Sequence, residues 1–378
     1  MFVTHWSINR LLCALACCLP VCLTPIAAQA QIRLGMVLPL SGPLAGTGND
    51  IVAGTKSAVD SINATGGIKG QKIELMIEDD KFDPKQTEEL ARELAKGGTL
   101  SAFVSCFGTV NCLAMAKVAQ DTGVPLLGPM AGSEALRDSK QTRVYSVRAN
   151  ASEEVGVLLK YLAAIKQENA SVVVQDDGFG KAYASSLQLV SAKHGFKPSQ
   201  QIIFDPKTPN YTDIAKRLMS DANASSVLLI ANTLHSVAII KALNDAKYYG
   251  QILNLAGQAN GGFVRGLANS SQLAVFATVT PSPFGSSSPA AEAYRKDWRT
   301  STGKDNFSYI GFEAYLNAQL LANVLRRSSN FSSDSVNRAL SILNKANFYE
   351  LNYSFTDKNR QAASFTDLAV MSKGTFKH

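Results

Sequence analysis

The chain has 378 residues, 46% of them hydrophobic and 18% charged, with a formal net charge of +7. That length exceeds one small core and suits two domains of ordinary size, and the composition excludes a disordered chain. Lysines and arginines are scattered among acids, which describes a solvated surface with a cationic bias and not the basic stripe of a nucleic-acid binder.

The first residues read as a targeting segment. Arg10 precedes an apolar run, Leu11 to Ile26, interrupted by Pro20 and Pro25, and Ala28-Gln29-Ala30 has the small-x-small form of a cleavage site. The expectation is export, with removal after Ala30 and Gln31 as the new N-terminus. The segment holds Arg10 and no acid, so the remainder carries +6. A membrane anchor competes with this reading, but the run is short for a span and contains helix breakers. A lipidation box at Leu15-Ala16-Cys17-Cys18 is a third reading, weakened by Cys17 where a small residue is wanted. No later stretch has the length and apolarity of a span, so the expected product is soluble and periplasmic.

From Ile32 the pattern alternates. Strands are expected at Ile32–Leu40, Lys72–Glu78, Ala102–Val104, Val124–Leu127 and Val144–Arg148, with helices at Asn49–Asn63, Pro84–Lys96, Asn111–Gln120 and Glu134–Asp138. A second series follows. Its helices are Ser152–Gln167, Lys181–His194, Tyr211–Ser220 and one ending at Asp245. Its strands are Ser171–Val174, Gln201–Phe204, Ser226–Ile230, Ile252–Leu255 and Leu273–Thr278. After a polar linker, Ser282 to Pro289, helices are expected at Ala290–Arg299, Tyr309–Arg327 and Ser335–Ala346. Late strands follow at Tyr349–Phe355 and Phe365–Met371. Repeated β-α units imply parallel sheets covered by helices on both faces, in two similar lobes.

The stretch Ser101 to Ala116 is the centre of the functional reading. A buried strand ends in a small turn, Ser105 to Thr109, and a helix starts at once. Such a unit directs free backbone N–H groups and the positive end of a helix dipole at one spot, which suits an anion, above all a carboxylate. Ser105 or Thr109 can add a hydroxyl, and Gly108 permits close approach. An ordinary helix cap facing water is the plainer alternative. Cys13, Cys17, Cys18 and Cys22 belong to the leader, so only Cys106 and Cys112 remain, both in this stretch. In an oxidising compartment they form either a disulfide that stiffens the turn or two buried thiols too far apart to bridge.

In open α/β sheets, ligands bind at the carboxyl ends of strands. The loops there are Ser41–Gly48, Ser105–Thr109, Met130–Ser133, Gln175–Gly180, Asn232–His235 and Ala256–Asn260. They are rich in Gly, Ser, Thr and Asn, which makes a hydrogen-bonding cradle and not a catalytic set, and Phe179 adds an aromatic wall. Beyond the leader the histidines are His194, His235 and His378. Only His235 is placed to face a cleft, and no Gly-x-Ser-x-Gly turn accompanies it. Gly46-Thr47-Gly48 lacks the rest of a dinucleotide fingerprint, and there is no Gly-Lys-Ser/Thr phosphate loop. Asp79-Asp80 and Asp176-Asp177 read as solvated turns and not metal sites, since no further ligands cluster with them. No enzyme activity, cofactor or metal is expected.

Several segments together resemble the leucine/isoleucine/valine-binding family of type I periplasmic solute-binding proteins. They are Gly35–Gly46, ending in Leu-Ser-Gly-Pro-Leu-Ala-Gly; Ile62–Gly70, Ile-Asn-Ala-Thr-Gly-Gly-Ile-Lys-Gly; and Asp79–Gln86, Asp-Asp-Lys-Phe-Asp-Pro-Lys-Gln. Weaker matches are Gly128-Pro129, Asp177–Gly180 and Tyr309–Leu316. The resemblance covers essentially the whole chain beyond the leader. It implies an α/β fold of two doubly wound parallel-sheet lobes joined by a three-segment hinge. The N-lobe would be residues 31–150 plus 281–352, and the C-lobe 151–280 plus 353–378. The cleft would close on ligand, and the closed form would dock on an ABC permease. In the family, the turn matching Ser105–Thr109 holds an α-carboxylate, the loop matching Ala131–Ser133 helps hold the ammonium, and Phe179 matches an aromatic position.

Two departures stand out. The aromatic that covers the ligand in branched-chain binders falls near Thr47. The acid that pairs with the ammonium falls near Gly257-Gln258, and no acid lies between Ala256 and Gly262. A buried ammonium without an acid is costly, so the expected ligand is a carboxylate that is not an α-amino acid. Candidate ligand-binding residues are Thr47, Ser105, Gly108, Thr109, Ala131, Gly132, Ser133, Phe179, Thr233 and Gln258. The expected function is capture of a small carboxylate or amino-acid-like ligand and its delivery to permease subunits, with a monomer as the default state. The alternative is a ligand-sensing module for a membrane signalling system, and an exported hydrolase is a third reading.

Overall fold

The computed structural model describes residues 1–2, 31–221, 225–285, 288–343, 346–348, 351–356, 360–361 and 365–377. The leader, with its expected cleavage site and four cysteines, lies outside the described residues. Two sheets carry the alternating pattern read from the sequence. The first has strands β1 (Ile32–Leu38), β2 (Ile73–Asp79), β3 (Leu100–Phe107), β4 (Leu126–Met130) and β5 (Val144–Tyr145), in the order β2-β1-β3-β4-β5. All pairings in it are parallel.

The second sheet contains β6 (Ser171–Gln175), β7 (Gln201–Phe204), β8 (Ser226–Ile230), β9 (Gln251–Asn254) and β10 (Ala274–Thr278). A hairpin extends it, β13 (Asp367–Ser372) and β14 (Thr375–Lys377), which joins β10 antiparallel. Its order is β14-β13-β10-β9-β8-β6-β7. Counting strands from the start of each lobe, both sheets run second, first, third, fourth, fifth. This is the doubly wound arrangement, whose switch point lies between the first and third strands. A separate two-stranded piece pairs β11 (Ala346–Phe348) with β12 (Leu351–Tyr353).

Helices α1 (Ala45–Ala64), α2 (Pro84–Ala95) and α3 (Thr109–Thr122) follow the first three strands. In the second lobe α4 (Ala151–Ala164), α5 (Gly178–Ser191), α6 (Tyr211–Met219), α7 (Thr233–Asp245) and α8 (Gly261–Gly266) alternate with strands. The chain then returns as α9 (Pro289–Thr302), α10 (Tyr309–Arg327) and α11 (Ser333–Ser341). The α10 helix is buried along nearly its whole length because α1 and the first sheet cover it. Where α1 crosses it, a Cβ on Gly54 would lie 2.0 Å from the Gly311 carbonyl oxygen, so only glycine allows that approach.

Several expectations are corrected. The strand ending at Val104 continues to Phe107, because β4 goes on pairing with it through Cys106↔Pro129 and Phe107↔Met130. The helix expected from Lys181 starts at Gly178, where Asp177 caps it. The last helix stops at Ser341, and Ala346 pairs with Tyr353 instead. The tail from Tyr353 does not pass at once to the second lobe, since Tyr353 and Phe355 are buried in the core of the first. The β14 strand is an addition, reached through a turn in which Lys373 and Gly374 have positive φ.

Candidate functional site

A cleft opens at the carboxyl ends of both sheets, enclosing about 530 Å³ of space between protein atoms, part of it open to solvent. From the first lobe it is lined by Phe82, Phe107, Gly108, Thr109, Val110, Met130, Ala131 and Gly132. Arg148 comes from the crossover between β5 and α4, and the second lobe supplies Gln175, Asp177, Phe179, Tyr183, Asn232, Leu255, Gly257 and Gln258. Of the residues expected here, Gly108, Thr109, Ala131, Gly132, Phe179 and Gln258 line the cleft.

Four expected residues do not line it. Ser105 is buried inside the lengthened β3, where its Oγ accepts from Asn317 Nδ2 at 3.2 Å. Ser133 precedes a short 3-10 turn, Glu134–Arg137, and Arg137 Nη1 donates to its carbonyl at 2.9 Å. Thr47 is buried in the first turn of α1. Thr233 opens α7 and its Oγ1 accepts from Asn260 Nδ2 at 2.7 Å. His235 is buried as well, against the Phe204 ring and 2.8 Å from the Tyr211 hydroxyl, so it faces core and not cleft.

The helix N-termini at the cleft differ in one respect. In the second lobe each carries a side-chain cap. Asp177 accepts from Gly180 N–H, Asn232 from His235 N–H and Asn260 from Phe263 N–H. The α3 helix has Gly108 in the cap position, at φ +85°, and no side-chain cap. Its first N–H groups are left for another partner, and the Thr109 hydroxyl, 3% exposed, has none among the described residues. A Cys106–Cys112 disulfide brackets this turn, with Cα atoms 5.4 Å apart, and settles the choice the sequence left open.

Asp79 is partly exposed, as expected of a solvated turn, but Asp80 is not solvated. Asp79 Oδ1 accepts from the N–H groups of Leu40, Ser41 and Lys81. Asp80 is buried; its Oδ2 accepts from Thr87 Oγ1 at 2.7 Å and Asn111 Nδ2 at 3.2 Å, and its Oδ1 from Phe82 N–H. These bonds fix a turn in which Phe82 has φ +64° and its ring lies against Gly108. Phe82 and Phe107 are 6.1 Å apart between ring centroids, and Phe179 packs on Tyr183 across the cleft. Asp177 is already committed, taking Gly180 N–H on one oxygen and Gln175 Nε2 on the other.

The lobes are closed on each other. A Cβ on Gly178 would lie 2.7 Å from Val110 Cγ1, so α5 and α3 meet across the cleft. Elsewhere Asp50 Oδ2 of α1 accepts from Gly261 N–H of α8 at 2.8 Å. At the hinge, Arg148 Nη2 and Tyr183 Oη both donate to Glu154 Oε1, at 3.0 and 2.9 Å, and Ala256 N–H donates to Glu154 Oε2 at 3.1 Å. Glu313 of α10 sits 3.7 Å from Arg148 Nε. Burial pushes the Glu313 carboxyl up to about 7, against the pull of Arg148. Burial opposes the Arg148 charge too, but Glu154 and Glu313 outweigh it and hold its pKa above the ordinary value. Burial and the Glu154 carboxylate push the Tyr183 phenol well above its usual range, so it remains a neutral donor.

A family model described as periplasmic binding protein matches residues 31–374. This chain is a type I periplasmic binding protein of the leucine/isoleucine/valine-binding family. Two curated relatives are similar to it. One is Leu/Ile/Val-binding protein homolog 3 of Brucella melitensis, 26% identical over 62% of this chain and 63% of the relative. The other is homolog 7 of Brucella abortus, 24% identical over 88% of this chain and 87% of the relative.

Among solved structures, a possible leucine/isoleucine/valine-binding protein from Rhodopirellula baltica superposes with a TM-score of 0.84 at 22% identity, covering 92% of this chain and 96% of that one. A branched-chain amino acid transporter substrate binding protein from Streptococcus pneumoniae, solved with isoleucine, gives 0.78 at 20% identity over 92% and 98%. These likenesses establish the fold. The family is one of solute-binding proteins and is periplasmic. No helix of the described residues has the length and apolarity to cross a membrane, and no group of metal-ligating side chains occurs among them.

Lining residues not singled out from the sequence are Phe107, Met130, Gln175, Asp177, Asn232 and Gly257, which fall in the loops expected at the strand ends, and Phe82, Val110, Arg148, Tyr183 and Leu255, which fall outside them. Most lie at or just past a strand end, a signal available in the sequence. Tyr183 lies a full turn into α5 and Phe82 within a strained turn, and neither position carries such a signal.

Proposed function

We propose that this periplasmic binding protein captures a small acid with an apolar body and no α-ammonium, and delivers it to the membrane subunits of an ABC transporter. The observation that carries the reading is the uncapped start of α3, with the unpartnered Thr109 hydroxyl, facing a cleft walled by Phe82, Phe107, Phe179 and Met130. Backbone N–H groups at a helix start suit a carboxylate, and the rings suit an aromatic or branched body.

An ammonium finds little here. Glu154 is filled by Arg148, Tyr183 and Ala256, and Asp177, anchored by the neutral Gln175 and Gly180 donors, is the one lining acid left to pair with it. Gln258 has an unpartnered Oε1 while its Nε2 donates to the Ala231 carbonyl, which suits a neutral donor better than a full positive charge. The family supports solute capture and transport. The family match begins at residue 31, which agrees with cleavage after Ala30.

The test is a thermal-shift screen of the chain from Gln31 with aromatic acids, short aliphatic acids and branched-chain amino acids. A ligand held only by the folded state stabilises it by about 2.7 kcal/mol at a hundredfold excess over its Kd. The expected result is a shift with acids lacking the amine, abolished by Thr109→Val. Tight binding of leucine, isoleucine or valine would overturn the proposal.

A further inference from the structure

We infer that Arg148 and Tyr183 form a second polar subsite of the cleft, which selects acids bearing a further oxygen (hydroxyl, oxo or carboxylate) remote from the bound head group. The inference rests on the acid reading above and deepens it. Both residues line the cleft and each is only 3% exposed. They come from the crossover after β5 and from α5, and the inference places the ligand's carboxylate at Thr109 and its further oxygen at this pair.

Glu154 lies between the two and is fully used. It takes Tyr183 Oη and Arg148 Nη2 on one oxygen and Ala256 N–H on the other. Arg148 is not used up. A guanidinium has five N–H donors. Among the described residues this one makes a single side-chain hydrogen bond, to Glu154, while its Nε is buried without a hydrogen-bond partner, 3.7 Å from Glu313. A pairing that served only to brace the hinge would not need to present its cation to the ligand cleft.

Arg137 is half-buried beside Arg148, and its guanidinium donates to the carbonyls of Ser133, Ala131, Arg148 and Ala149. Two guanidiniums therefore stand with three carboxylates, Glu154 and Glu313 at Arg148 and Glu134 near Arg137. Glu313 holds its proton for much of the time near neutrality, because burial pushes its carboxyl up to about 7. With Glu313 protonated, Arg148 keeps donor capacity beyond its bond to Glu154, and a ligand oxygen in the cleft takes it up. Tyr183 Oη, anchored by its own donation to Glu154, keeps lone pairs that can accept from a ligand hydroxyl.

The test uses calorimetric titration of the chain from Gln31 with three probe pairs of increasing length. They are benzoate with 4-hydroxybenzoate, phenylacetate with 4-hydroxyphenylacetate, and 3-phenylpropionate with 3-(4-hydroxyphenyl)propionate. A site built to hydrogen-bond a ligand oxygen discriminates strongly against the analogue lacking it, so the hydroxylated member of at least one pair should bind about tenfold tighter or more. That ratio should collapse in Arg148→Lys, which keeps the charge, and fall in Tyr183→Phe, which keeps the ring. Should Arg148→Lys fail to fold, the Tyr183→Phe ratio decides. Acids that bind without preference within any pair, or with the same preference in the folded variants, overturn this inference and leave the acid reading standing. If no acid binds folded wild type, both fall together.

Discussion

The side chain of Asn317 occupies the place where a Cβ on Gly128 would be. Such a Cβ would lie 2.4 Å from Asn317 Cγ, and Gly128 has φ +68°. Asn317 Nδ2 donates to the Gly128 carbonyl and to Ser105 Oγ, both at 3.2 Å, so α10 grips the two strands that end at the cleft. Gly128→Ala should cost about 2–4 kcal/mol, from the backbone conformation and the clash together. Adding Asn317→Ala should recover the steric part, and denaturant unfolding of the double-mutant cycle measures that coupling. Strict additivity would show that the two sites act independently.

Asn111 ties the start of α3 to the turn that carries Phe82, through its bond to Asp80. It also donates to Thr87 Oγ1 at 2.9 Å. Asn111→Leu should cost about 1–3 kcal/mol, because it deprives a buried carboxylate of a donor. It should also weaken binding of whichever acid the screen identifies, since Phe82 loses its support. Unfolding curves and titration read the two effects separately, and an unchanged Kd would remove Asn111 from the site's framework.

The disulfide closes a short loop, with the two cysteines six positions apart. By loop-closure entropy it contributes about 2 kcal/mol. The double variant Cys106→Ala, Cys112→Ala should lose roughly that amount in urea unfolding and bind the acid more weakly, because Gly108 and Thr109 lie inside the loop. Loss of stability with wild-type affinity would mean that the turn is held by its surroundings alone.

Asp50 joins α1 of the first lobe to α8 of the second through Gly261 N–H. Asp50→Ala removes an acceptor from the closed form without touching a lining residue. The Kd should rise about fivefold, the worth of one hydrogen bond of about 1 kcal/mol. Small-angle scattering should show a larger radius with sub-saturating ligand, and an unchanged Kd would argue that closure does not depend on this contact.

Glu313 gives stability a pH dependence with a definite sign. Its carboxyl is raised from 4.5 to about 7 by burial, opposed by Arg148 and assisted by Glu154, with Arg137 and Tyr353 also near. Between those values the native state holds a proton that the unfolded chain has lost. Stability from this group is therefore complete below about pH 4.5 and falls as the pH rises through about 7, by an amount on the order of 1–3 kcal/mol. Urea unfolding at several pH values should show that decline in wild type and a flatter profile in Glu313→Gln.

The strand and helix order was legible because parallel strands buried on both faces read as short apolar runs, such as Val172–Val174 and Val227–Ile230, between helices with clear caps. The site was legible in part. Gly108, Thr109 and Phe179 stand directly after strands, where the fold class puts ligands. Ser105 was misplaced because apolarity alone did not show that β3 runs on past Val104, a length set by its pairing with β4. His235 was placed near the cleft by spacing, and packing against Phe204 turned it inward.

The sequence by itself determined the alternating α/β pattern, the two similar lobes and the anion-suited start of α3, since these follow from local periodicity and turn chemistry, and particular segments of it carried the family resemblance. Only the tertiary structure decided the disulfide and the company of Arg148. Cys106 and Cys112 bridge because a strand end and the first turn of a helix bring their Cα atoms to 5.4 Å. Arg148, Glu154, Tyr183, Ala256 and Glu313 meet because α4, α5, α10 and the loop after β9 converge on one crossover. No local signal announces such a meeting. It arises from the closing of two sheets around a hinge, where burial forces charged groups to find each other.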